Sequence, residues 1–472
     1  MMSKTTAFVV ALAMALTLTA CPAGAADLLE VYQRALQNDP QIREADATRL
    51  AQRESRPQAL AGLLPQLSAT GSYGIGDSTA SQPLGSLQTS SGVTGPVDPN
   101  AVFTRDTTTH SARQWQIQLT QTVFRWDRWA DLKRADAQVA QAEVDYKYAE
   151  QGLVLRVTQR YFDVLAAKDT VDAAQATLES VSRQLEQADK RFEVGLIAIT
   201  DVQEARAAHD QAVATLIASK RTHATSLELL RELTGEAFDK LASPGDDMPL
   251  QTPLPENEDQ WVSTALQQNL SLISSRFAAE IAKEDVEVAR GGHFPTFDLV
   301  ATRGGSTNDS DITTSLGTTT TSLPGNADQK QNQIALQVTF PIYSGGSTSS
   351  QVRRAVYLQR AARERLERSS RETERATRDA YLGVQSEISR VQALKQAVES
   401  SKTALQATEA GFEVGTRTTV DVLNARQLLF TALTNYARSR YDYIINIITL
   451  KQAAGSLSRE DLNQINGWLK PE

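Results

Sequence analysis

The chain is 472 residues long, enough for two or three domains, and is 41% hydrophobic, 22% charged and only 6% aromatic. Lys and Arg number 48 against 56 Asp and Glu, and the resulting net charge of −8 excludes the basic face that a nucleic-acid binder needs. A single cysteine, Cys21, excludes an intrachain disulfide framework and a cysteine-built metal site. Past the first 25 residues no apolar run reaches the about twenty residues of a transmembrane helix, which leaves a β-barrel open.

Lys4, the apolar stretch from Ala7 to Leu18 and the small residues Ala23 and Ala25 read as a secretory signal peptide over residues 1–25. Leu18-Thr19-Ala20-Cys21 also looks like a lipoprotein cleavage site. An unlipidated start near Ala26 is expected, because a helix running up toward the strands would hold the mature start far from lipid.

From there the sequence is written twice. Phe192-Glu193-Val194-Gly195 recurs as Phe412-Glu413-Val414-Gly415, a shift of 220 at which Tyr161 meets Tyr381, Asp201-Val202 meets Asp421-Val422 and Gly235 meets Gly455. Ala35-Leu36-Gln37 recurs as Ala265-Leu266-Gln267 at a shift of 230. The repeat is too long for a solenoid unit. The expected organisation is a first repeat over 26–242, a Pro-rich linker over 243–256 and a second repeat over 257–472.

In chain order, a helical pattern over Asp27–Leu60 leads to a strand over Gln66–Gly76, a loop over Asp77–His110 and a strand over Ser111–Phe124. A proline-free helix follows from Trp126 to Arg191, breaks at Val194-Gly195 and returns over Asp201–Thr234. The second copy gives a helix over Asp259–Arg290, a strand over Thr296–Gly305, a loop over Ser306–Lys330 and a strand over Gln331–Tyr343. A second long helix, Thr348–Gly411, breaks at Val414-Gly415 and returns over Asp421–Ala454. At about 1.5 Å per residue the first long helix reaches about 98 Å, too long to wrap a compact core, so it needs lateral coiled-coil partners.

The strands alternate in period two. Trp115, Ile117, Leu119 and Val123 are interleaved with Gln114, Gln116, Gln118, Thr120 and Thr122, and Ile334, Leu336, Val338 and Phe340 with Gln333, Ala335, Gln337 and Thr339. A soluble hairpin on a core alternates too. A polar face of Gln and Thr, aromatics at one end (Phe124, Trp126, Trp129, Phe340, Tyr343) and the signal peptide favour membrane strands. Four strands cannot close a barrel, and an open edge is not tolerated in lipid, so the barrel must be shared among two, three or four chains.

With Arg191-Phe192-Glu193-Val194-Gly195 through Thr200-Asp201 and Arg206, and Phe412-Glu413-Val414-Gly415 through Arg417, Asp421 and Arg426, the chain closely resembles the outer membrane factor family of efflux and type I secretion channels. The resemblance implies a mainly α fold with a membrane β part: a homotrimer with one shared twelve-stranded barrel and a periplasmic tunnel of long antiparallel helical hairpins. It implies a passive exit duct working with a periplasmic adaptor protein and an inner-membrane transporter of the RND, ABC or MFS type. It also assigns a periplasmic gate. Asp421 falls on an inward acidic ring, Arg417 on the gate arginine, and Thr200 and Asp201 on its partners from a neighbouring chain. Gly195 and Gly415 fall on the hairpin tips that meet the adaptor. Asn424 stands where a second acid is expected and Phe412 where a tyrosine is, which implies a weaker lock. On spacing alone, Arg417 and Asp421 lie four apart and could be an ordinary intrahelical ion pair.

An enzyme is the rival class. The four histidines, His110, His209, His223 and His293, show no metal-binding spacing, and no nucleophile elbow or phosphate loop occurs, so no catalytic role, metal or cofactor is expected. A general outer-membrane porin is the alternative function.

Overall fold

Two buried helix junctions set the layout of each repeat. In a computed structural model, which describes residues 25–83, 103–238, 240–245, 248–316 and 319–470, the first repeat opens with α1 (Leu28–Asn38), α2 (Pro40–Arg53) and α3 (Ser55–Ala61). The helical stretch expected over Asp27–Leu60 is thus divided into three helices. Pro40 forces the residue before it out of the helical region, and Asp39 is extended, with ψ 118°. Its carboxylate then accepts from the amide of Gln41 at 3.1 Å and starts the next helix. In the second repeat α6 (Glu258–Gln268) and α7 (Leu270–Gly291) are divided in the same way at Asn269, whose side chain accepts from the amide of Leu272 at 2.9 Å. Leu28, Val31, Tyr32 and Ala35 share one buried face of α1, the spacing of an amphipathic helix.

The long helices α4 (Trp126–Glu193) and α8 (Ser347–Glu413) run for 68 and 67 residues, and their return helices α5 (Ile199–Thr234) and α9 (Thr419–Ala454) for 36 each. Both return helices stop on a left-handed glycine, Gly235 and Gly455. At Gly455 space forbids a side chain as well, since a Cβ would lie 2.2 Å from the carbonyl oxygen of Gln268.

The described residues fall into two compact units that cut across the repeats. One comprises the segment to Gln52, Ala140–Ala278 and Arg363–Glu472; the other comprises Arg53–Val139 and Ala279–Ala362. The first unit holds the main core: Leu28 and Val31 of α1, Tyr161, Phe162 and Leu165 of α4, Leu230 of α5, Tyr443, Ile444 and Ile448 of α9, and Leu462 of α10 (Arg459–Asn466). The Tyr161 hydroxyl donates to the carbonyls of Ala242 at 2.6 Å and Ala26 at 3.1 Å. Burial pushes its ionisation well above the usual tyrosine range. The linker is tied down here too: β3 (Ser243–Pro244) pairs with β6 (Leu469–Lys470), and Ala26 bridges Leu241. Cys21 and the signal peptide lie outside the described residues, apart from Ala25.

The second unit contains one antiparallel sheet in the order β1-β2-β4-β5, from β1 (Gln66–Pro83), β2 (Phe103–Phe124), β4 (Thr296–Leu316) and β5 (Thr319–Thr339). These strands, of 18, 22, 21 and 21 residues, are longer than expected, because the described parts of the segments expected as loops, Asp77–His110 and Ser306–Lys330, continue the ladders. Thr107, Thr108 and Thr109 pair with Thr79, Ser78 and Asp77 on one side and with Thr313, Ile312 and Asp311 on the other. The Thr and Ser content that suggested a loop suits a strand once both neighbours are present. β5 also ends earlier than expected, at Thr339, since Pro341 cannot donate to a ladder.

Candidate functional site: a two-faced sheet and two hairpin turns

Register sorts the helix-proximal half of the sheet into two chemically distinct faces. Directly opposed residues share a face, so Leu67, Leu119, Ala301 and Ile334 form one row, with Leu299 and Leu336 in the row below and Phe124, Phe297 and Val338 at the helix-proximal rim. The other face carries Ser68, Gln118, Thr302 and Gln333 in one row and Thr70, Gln116, Gly304 and Gln331 in the next. The apolar face is the more exposed one on β2: Trp115, Ile117 and Leu119 are 47%, 42% and 38% exposed, while the intervening Gln116, Gln118 and Thr120 are half-buried. From Trp115 to Phe124 this band runs about 30 Å along the strand, near the about 25 Å height of a membrane barrel once the strand is tilted. Gln121, opposite Leu299, falls on the apolar side by alternation, where its amide donates to the carbonyls of Leu63 and Thr122 at 2.9 and 2.7 Å, and a bulge at Thr122–Phe124 brings Phe124 opposite Phe297 on the same side. Beyond Ile75 and Trp115 both faces turn polar.

The hairpin turns of the other unit are near copies. Gly195 and Gly415 sit at φ +76° and +78°, and a Cβ at either position would meet nothing within 4 Å, so the backbone angle alone demands glycine. Each glycine amide donates back to the phenylalanine three residues earlier, Phe192 at 2.8 Å and Phe412 at 3.1 Å. A second duplicated feature braces the hairpins: Arg206 pairs with Asp189 at 3.9 Å in the first, and Arg426 with Glu409 at 2.8 Å in the second.

The copies differ around the positions expected to form a gate. Thr418 caps α9 in a reciprocal box: its hydroxyl accepts from the Asp421 amide at 3.2 Å, and the Asp421 carboxylate accepts from the Thr418 amide at 2.9 Å. The Thr418 backbone and side chain, aided by the Arg417 charge, hold the Asp421 carboxyl below its ordinary range. At the equivalent place in the first turn stands Ala198, which offers Asp201 no such hydroxyl. Arg417 is exposed and precedes the helix, so the ordinary i,i+4 pair with Asp421 is replaced by the cap. Its amide donates to the Gly411 carbonyl at 3.2 Å, and a Cβ at Gly411 would meet its Cγ at 2.8 Å.

Thr200 is exposed and Asp201 half-buried on the first turn, and Arg417, Phe412 and Asp421 belong to the second. Among the contacts that join the hairpins within one chain, two lie toward the turns. The Arg191 guanidinium lies over the Phe412 ring at 4.9 Å, and Arg426 donates to the Ser180 hydroxyl. Asn424 lines a crevice of about 240 Å³ among α4, α5 and α9, with Val181, Ala212, Arg426 and Phe430. Sequence reasoning missed Arg191. The available signal was a break in the repeat, since the counterpart of Arg191 at a shift of 220 is Gly411.

These two structures, a wall with one apolar and one polar face and a pair of helical hairpins, are those of an outer-membrane channel subunit. A profile of the outer membrane efflux protein family matches the chain twice, over residues 31–236 and 261–456. The chain is 35% identical over 448 residues to outer membrane protein TolC of Vibrio cholerae, covering 94% of each. It is 27% identical over 440 residues to the alkaline protease secretion protein AprF of Pseudomonas aeruginosa, covering 93% of this chain and 86% of the relative. The crystal structure of the Campylobacter jejuni CmeC outer membrane channel superposes with a TM-score of 0.69 at 18% identity, covering 93% of this chain and 89% of CmeC. The chain belongs to the outer membrane efflux protein family. It is an exit duct of efflux and secretion, located in the outer membrane with its helices in the periplasm.

Proposed function

We propose that three copies of the chain close one twelve-stranded barrel, with the Gln- and Thr-rich face lining a water-filled lumen and the apolar face in lipid. The two-faced sheet carries this reading, because its outer strands, β1 and β5, have no further strand partner among the described residues and an open edge is not viable in a bilayer. A general porin carries its whole barrel in one chain, which this sheet does not supply. The long hairpins assemble beneath the barrel into a periplasmic tunnel, passive and without catalytic function, whose tips at Gly195 and Gly415 are met by a periplasmic adaptor. An inner-membrane transporter loads the duct with small toxic compounds, secreted proteins or both.

The tunnel closes at the second hairpins. Asp421 carboxylates from three chains approach the axis, and Arg417 reaches Thr200 and Asp201 of a neighbouring chain. Asn424 lowers the charge of this constriction relative to a doubly acidic one. Phe412, lacking a hydroxyl, holds its own chain's first hairpin through Arg191. Such solvated contacts are weak enough for an adaptor to undo. Planar-bilayer recordings test the gate: Arg417→Ser is expected to raise single-channel conductance, and Asp421→Asn to abolish block by multivalent cations added on the periplasmic side. Unchanged conductance together with persistent block would place the constriction elsewhere.

A further inference from the structure

The lipid-side face of the sheet carries three cations at the distal edge of its apolar band. Arg303 on β4 lies opposite Ile117 and Asn332, and its diagonal neighbours on the same face are Trp115, Leu119, Lys330 and Ile334. None of these is acidic. Lys330 lies opposite Gly305, and Arg113, opposite Tyr73 and Thr307, holds its guanidinium 5.7 Å from the Tyr73 ring. Arg113, Arg303 and Lys330 are all exposed. The Trp115 indole lies over Gly305, where a Cβ would meet its nitrogen at 2.9 Å. Acids begin one step further out on this face: Asp328, two residues along β5 from Lys330, accepts from the Thr307 hydroxyl at 2.7 Å, and Asp309 is the diagonal neighbour of Arg113.

Arg303 and Lys330 are a diagonal pair of like charges, unfavourable on a sheet, and Arg303 has no acidic neighbour on this face; hydrocarbon cannot solvate it. Because the helices are periplasmic, the distal edge of the band falls at the head groups of the outer leaflet. The cations span β2, β4 and β5, about 10 Å across at the usual strand spacing, which suits two phosphates on one broad head group better than the single phosphate of a glycerophospholipid. Trp115 and Tyr73 add ring faces and polar edges of the kind that settle at such a boundary.

We propose that Arg303, Lys330 and Arg113, with Trp115 and Tyr73, form a binding site for the phosphates of a phosphorylated glycolipid of the outer leaflet. The proposal rests on the barrel reading above. The site lies on the outside of the barrel, separate from the transport path.

The test uses the full-length protein in phosphatidylcholine nanodiscs containing lipid A, dephosphorylated lipid A or phosphatidylglycerol as a minor component, with retained lipid counted by native mass spectrometry. Lipid A is expected to remain bound, the dephosphorylated form and phosphatidylglycerol to be lost. The double variant Arg303→Gln, Lys330→Gln is expected to weaken lipid A retention about tenfold, whereas Arg375→Gln on helix α8 leaves it unchanged. Equal retention of phosphatidylglycerol, or of lipid A by the double variant, would overturn the site. Channel conductance of the same samples separates the two readings: a conducting protein that ignores lipid A refutes this site alone, and a protein that never inserts refutes the barrel as well.

Discussion

Arg191 and Gly411 occupy equivalent stations in the two copies, and their difference shapes the tip. Glycine at 411 lets Arg417 fold back against its own hairpin, while Arg191 covers the ring of Phe412. A partly exposed cation–π contact is worth about 0.5–1 kcal/mol, so Arg191→Ala is expected to speed amide exchange across residues 190–200 about two- to fivefold. Phe412→Tyr, which keeps a ring, should leave it unchanged; equal acceleration by both would show that the ring contact is not what holds the hairpins. Asp421 makes a pH prediction. Its folded-state pKa lies below the unfolded value, so its contribution is present above the unfolded pKa and is lost as pH falls through the lower, folded one. Thr418→Val removes the hydroxyl but keeps the amide, and acid loosening of the second turn, read by exchange, should begin at a higher pH. An unaltered pH profile would mean the box is not what anchors Asp421. The capping box of Thr418 and Asp421 went unread in the sequence, where the spacing pointed to a pair between Arg417 and Asp421 instead. The Arg191–Phe412 contact was not legible there, because it joins residues more than two hundred positions apart and no local pattern marks it.

Among the elements, the long helices and both glycine turns were legible to within a few residues, since period, caps and the absence of proline all agree. The strands were legible only where one face is apolar. Their outer halves are polar on both faces, so alternation gives no signal there, and only pairing with a neighbouring strand reveals them. Arg303 shares a face with Phe297, Leu299 and Ala301 by alternation along its own strand, but its place diagonal to Lys330 is fixed only by register with β5. Adjacent residues of β5 test the sidedness. Leu336 lies opposite Leu299 on the apolar face and Gln337 opposite Asp298 on the polar one, so in the proposed barrel the first meets lipid and the second the lumen. Leu336→Arg is expected to cost about 2–4 kcal/mol of insertion and to lower the assembled fraction in outer membranes. Gln337→Arg, with Asp298 within reach, should assemble normally. Similar losses from both would contradict the assignment of faces.

At the scale of the whole molecule, duplication supplies each chain with two hairpins of strands and two of helices, and the four-stranded sheet leaves β1 and β5 at its edges. The copies are not equivalent. One turn ends in the reciprocal cap of Thr418 and Asp421, the other starts from Ala198 without it. On the proposed gate, that difference separates a turn that constricts from a turn that receives it. Everything proposed for the lumen, the gate and the lipid face depends on how many chains complete the wall. The mass of the purified protein in detergent, with the bound detergent subtracted, measures that number directly. The account predicts three chains in one complex stable to dilution; a complex of two or four chains, or a stable inserted monomer, would contradict it.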